Sequence, residues 1–119
     1  MPKLRAPMDI IAAARSQIRR IQTWTAPYNS DSFRAEDAEQ VRYACERAFI
    51  ALGEAINDLS AAVDLYALHP DGPWADSVRF RHFLAHDYDD SALPPLVWDT
   101  IQRDLPELDA ALVTVAMAL

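Results

Sequence analysis

Glycine is scarce in this chain, with two in 119 residues. No strand-like alternation lasts long, so a sheet protein with many tight turns is excluded and helices with short breaks are expected. Cysteine occurs once, at Cys45. One thiol allows no internal disulfide and suits a reducing compartment. No apolar run approaches the roughly 18–20 residues that cross a bilayer. The opening Met-Pro-Lys-Leu-Arg-Ala-Pro lacks the apolar stretch of a secretion signal. A cytoplasmic protein with no membrane partner is the expectation. Basic residues number 11 against 18 acidic ones, for a net charge of −7. Such a balance opposes tight, non-specific binding to nucleic acid, which depends on neutralising phosphates.

About half of the residues, 51%, are apolar, which suits a globular chain. A single domain over 1–119 is expected, long enough to bury a core without disulfide staples. The charge is uneven. Residues 1–24 sum to +4 through Lys3, Arg5, Arg15, Arg19 and Arg20 against Asp9, whereas residues 25–119 sum to −11. A basic first helix could therefore offer a local site for an anion, or simply a solvated face.

Ile11, Ala14, Ile18 and Ile21 recur at three- and four-residue steps and predict a first helix over 7–24, with Pro7 in its first turn. Val41, Cys45, Ala48, Leu52, Ala55, Leu59, Val63 and Tyr66 predict a long second helix over 33–67, buried against neighbouring helices and a second subunit. Cys45 reads as core packing. Gly53 costs about 1 kcal/mol in a helix interior, and close helix–helix approach is its expected return. His69-Pro70-Asp71-Gly72-Pro73 reads as a turn. Residues 74–86 read as a third helix, apolar nearly all round and therefore central. Ser91 is a candidate cap for a fourth helix with Pro94 and Pro95 in its first turn and Val97, Trp98, Ile101 and Leu105 on its buried face. Pro106 opens a last helix with Leu108, Leu112, Val115 and Leu119 inward. The fold class is an all-α bundle of four to five helices.

Chemistry concentrates in residues 79–90, Arg-Phe-Arg-His-Phe-Leu-Ala-His-Asp-Tyr-Asp-Asp. Two of the chain's three histidines lie here. His82 and His86 have the four-residue spacing of a metal pair, with Asp87 nearby. No glutamate lies between them, however, and flanking arginines oppose a cation, so no metal is assigned. A purely structural role is a second reading: a histidine near a helix C-terminus is stabilised by the helix dipole, and His69, alone before a proline turn, reads that way. A third reading is metal-independent RNA cleavage. Attack by a ribose 2′-hydroxyl needs a group to take its proton and a cation to steady the phosphate. Histidine titrates near pH 6.5, and the arginine fork binds two phosphate oxygens at once. A two-fold dimer would bring two copies of each group into one cleft. Arg81 and His86 stand about 140° apart on an ideal helix, so they converge only if the helix ends near His86. Arg79, nearly on the face of His86, is the backup phosphate clamp.

Arg81, four residues, His86, one residue, Tyr88 resembles the Arg-x4–6-His-x-Tyr motif of the HepT-like toxins of the HEPN superfamily. Gly53-Glu54-Ala55, Pro73-Trp74 and the run from Val97 to Leu108 are similar to that family in the same order, and the resemblance covers roughly 8–118. It implies an all-α, HEPN-like homodimer that acts as a metal-independent endoribonuclease, the toxin of a type VII toxin–antitoxin pair, with no cofactor. It implies catalytic roles for Arg81 and His86. It also implies an MntA-like minimal nucleotidyltransferase antitoxin that transfers AMP onto Tyr88, where a phosphodiester and base would block the RNA site. Arg79 and His82 would support phosphate or RNA contacts. His82 stands where the family commonly has asparagine, and Asp89 and Asp90 where it often has an aromatic residue and glycine. The competing expectation is a non-catalytic helical partner that binds a nucleotidyltransferase or nucleotides without cutting RNA.

Overall fold

The computed structural model describes residues 5–86 and 93–119, and each regular element among them is helical. The order is α1 (Pro7–Thr25), α2 (Ser30–Arg34), a 3₁₀ turn (Glu36–Ala38), α3 (Glu39–Ala62), α4 (Leu65–Leu68), α5 (Trp74–His86), α6 (Leu93–Asp99), a π-helical turn (Thr100–Asp104) and α7 (Leu105–Ala118). The expected all-α bundle is what forms. No described helix is long and apolar enough to cross a membrane.

The isoleucine stripe of α1 is buried in full, with Ala14, Ile18 and Ile21 at zero exposure. It packs against α3 and α7. The α3 stripe of Cys45, Ala48, Leu52, Ala55 and Leu59 is equally buried and meets Val97, Ile101, Leu105, Leu108, Leu112 and Val115 in the same core. Arg15 of α1 pairs with Asp109 of α7 at 2.8 Å. Burial, with Glu46 adding, pushes the Cys45 thiol up to about 12. A thiol held neutral in apolar surroundings packs rather than reacts.

The single long helix expected over 33–67 is instead four pieces. Asn29 and Ser32 form a reciprocal capping box that starts α2 on its own. The chain turns extended at Ala35, where Arg42 donates to the carbonyl oxygens of Phe33 and Ala35 at 2.7 and 2.6 Å. Val63 is extended again, and the Asp64 side chain accepts from the Ala67 amide to cap α4. Tyr66, expected on the buried stripe, is 54% exposed. Leu119, expected inward, is exposed as well.

α6 and α7 are not separated by a break. The Leu105 amide donates to the carbonyl of Thr100, five residues back, and one π turn carries the helix past Pro106. Proline lacks an amide hydrogen and crowds the preceding turn; a local widening absorbs both. Thr25 and Pro7 bound α1 as expected, and α6 begins at Leu93 with Pro94 and Pro95 in its first turn. The cap expected at Ser91 lies outside the described residues.

Candidate active site

α5 starts on a fastened turn. The carbonyl oxygen of His69 accepts both the Gly72 amide at 3.2 Å and the indole Nε1–H of Trp74 at 3.0 Å. A β-carbon at Gly72 would strike the Trp74 ring, so the bare backbone there seats the buried indole. His69 therefore acts through its carbonyl and its ring edge against Trp74, the structural role expected of it.

From that anchor α5 runs along α3. The helix is not central, as its apolar composition suggested. Only Trp74 and Leu84 are buried, and Phe80 and Phe83 are half-buried. Phe80 meets Phe49 of α3 edge-on at 5.0 Å and stacks with Phe83 at 6.3 Å. One helix pattern does not distinguish an apolar face covered by its own core from one left toward the outside.

Arg81 sits at the α3–α5 contact. A β-carbon at Gly53 would collide with the Cβ of Arg81 and lie 3.0 Å from its Cγ and Cδ. Gly53 is thus a notch for one side chain. Neither glycine has a positive φ, so both are needed for space and not for backbone freedom. The Arg81 Nε is buried and has no hydrogen-bond partner among the described residues. Burying a charged donor without an acceptor costs about 1–3 kcal/mol or more. The stem of Arg81, Cβ through Nε, is thereby fixed at the α3–α5 contact.

The other expected groups distribute differently. Arg79 is exposed and pairs with Asp76 at 2.7 Å, so the backup clamp is already engaged by a carboxylate. The i,i+3 spacing of Asp76 and Arg79 was the sequence signal for that pair. His82 is exposed. His86 is the last residue of α5, five positions beyond Arg81. Tyr88, Asp87, Asp89 and Asp90 lie outside the described residues. A groove of about 540 Å³ beside α5 is lined by Phe49, Phe80, Phe83 and Leu96 together with Asp71, Asp76, Asp104 and Glu107. Arg81 does not line it, and its carboxylates suit a polyanion poorly.

The described bundle thus carries, on one helix, an arginine with a buried, unpartnered Nε and, five residues further on, a histidine. The family described as "Ribonuclease HepT-like" matches residues 14–115. The chain belongs to the HepT-like ribonuclease family, within the HEPN superfamily, and the resemblance drawn from its motif stands at that level. No curated protein and no solved structure matches it.

Proposed function

We propose that this chain is a metal-independent endoribonuclease, the toxin of a type VII toxin–antitoxin pair acting in the cytoplasm as one 1–119 domain. The observation that carries the reading is the buried, unpartnered Nε of Arg81 in the Gly53 notch. In this reading Arg81 binds the non-bridging oxygens of the scissile phosphate and steadies the charge that builds there. His86 takes the proton of the 2′-hydroxyl, or returns one to the departing 5′-oxygen. The flanking arginines oppose a catalytic cation. The half-buried Phe80 and Phe83 and the exposed Leu96 support a homodimer that pairs two such sites. Arg79 and His82 are supporting RNA contacts, with Arg79 first released from Asp76. Tyr88 is the residue a nucleotidyltransferase antitoxin modifies with AMP.

The test expresses the chain alone and as His86→Ala. Growth arrest and RNA cleavage in excess EDTA are expected for the first, with cleavage about 10²–10⁴-fold lower in the variant. Cleavage of no RNA by the unaltered chain, with no arrest, supports a non-catalytic nucleotidyltransferase partner instead. Co-expression with the cognate transferase should add the mass of AMP, and Tyr88→Phe should abolish the gain.

A further inference from the structure

We infer that the outer face of α1 is a second RNA-contacting surface, one that holds single-stranded RNA away from the cleavage site. The inference rests on the ribonuclease reading for its substrate class and on a separate part of the molecule for its observations. Ala12, Ser16, Arg20 and Trp24 follow one another at four-residue steps, and Arg15 and Arg19 form the adjacent row. Rows at that spacing make ridges on a helix, and between these two lies a groove of about 390 Å³. Ala12 and Ser16 keep one end low, while arginines and an indole stand at the other.

The groups are those that bind single strands. Trp24 is 39% exposed, whereas Trp74 is buried and Trp98 packs against Phe33. An open indole offers a stacking platform for any base, and arginines beside it track the backbone. Arg19 and Arg20 are exposed and form no ion pair among the described residues. Arg15 is steered by Asp109. Residues 1–24 sum to +4, of which α1 supplies +2 through Arg15, Arg19 and Arg20 against Asp9, while residues 25–119 sum to −11, so this end of an acidic chain is the more favourable one for a polyanion.

A lipid surface fits less well. A helix lying on a membrane offers it an apolar face, and the apolar stripe of α1 is already buried in the core. The opposite, charged face remains, with one aromatic residue. The location also fixes the role. Arg19, Arg20 and Trp24 lie off the buried stripe of α1, and α5 packs on α3, so contacts here add to binding and not to the chemical step.

The experiment measures binding of the full chain to a labelled 2′-O-methyl RNA of about 20 nucleotides, which the enzyme does not cut. Arg19→Ala with Arg20→Ala should lower the slope of log K against log salt by about 1.4, at about 0.7 per phosphate contact. Trp24→Ala should weaken binding about tenfold, and Trp24→Phe should restore most of it. With cleavable RNA, the same variants should raise KM for long substrates and leave kcat and cleavage of roughly four-nucleotide substrates unchanged. Unchanged RNA affinity in all variants overturns the inference, as does binding to anionic phospholipid vesicles with none to RNA. A chain that cuts no RNA yet binds it through Arg19, Arg20 and Trp24 refutes the ribonuclease proposal and upholds this one.

Discussion

Arg81 occupies the notch that Gly53 leaves on α3: a β-carbon at position 53 would collide with the arginine's own Cβ, not merely with the end of its side chain. Rotation about the arginine's side-chain bonds leaves its Cβ in place, so a larger residue at 53 must move α5 itself. Gly53 therefore sets where the guanidinium is held.

Gly53→Ala should shift α5 and reduce RNA cleavage. Overpacking typically costs about 1–3 kcal/mol, against about 1 kcal/mol gained from helix propensity. Thermal unfolding and RNA cleavage assays read the two effects. A variant that is more stable and fully active would show that the close approach has no functional role.

Arg81→Met should separate stability from activity. Methionine fills a similar notch without an unsatisfied donor, so stability should hold or rise by about 1–3 kcal/mol, while cleavage is lost. Arg81→Lys keeps the charge but not the fork, and should retain only a small fraction of the activity. Denaturant melts and initial rates on a single RNA check both. Equal activity in the methionine variant would remove Arg81 from the mechanism.

Phe83→Glu should convert the expected dimer to a monomer, since it places a charge on the half-buried flank of α5 beside Phe80 and Leu96. Sedimentation velocity would show the change in mass, and RNA cleavage should fall with it. An unaltered chain that sediments as a monomer and still cuts RNA would show that one copy suffices.

Cys45 should resist alkylation in the folded protein. Its thiol is raised from 9.0 to about 12 by burial first and Glu46 second. The folded state thus keeps the proton after the unfolded chain has released it. The contribution of this group to stability is intact below pH 9 and is lost as the pH rises from 9 to about 12. Iodoacetamide at pH 9.0, where the unperturbed thiol is half-ionised, should label the protein only after denaturant is added. Rapid labelling of the native chain would contradict the burial.

The helical class, the span of α1 and the faces of α3, α6 and α7 were legible because Ile11 to Ile21, Cys45 to Leu59 and Val97 to Val115 repeat at helical spacing. The interruptions at Ala35 and Val63 were not. Hydrophobic spacing continues across them; the chain is extended at Ala35, whose carbonyl accepts from Arg42, and at Val63, after which Asp64 caps a new helix. Pro106 suggested a fresh start, yet a π turn keeps the helix whole. At the site, the motif singled out Arg81, but its seat was hidden. Gly53 advertises close approach without naming the side chain that fills the gap, since that depends on how two helices meet in space.

α5 is pinned at its first turn by the Trp74 indole and continues to His86. At about 1.5 Å per residue, its last residue stands about 7.5 Å along the axis from Arg81. In the proposed switch, AMP on Tyr88 would silence the chain as a stopper at the phosphate site and not as a lever on the fold. Silenced and active forms would then share one melting curve, and recovery would wait on breaking a covalent bond instead of on a relaxation of the fold.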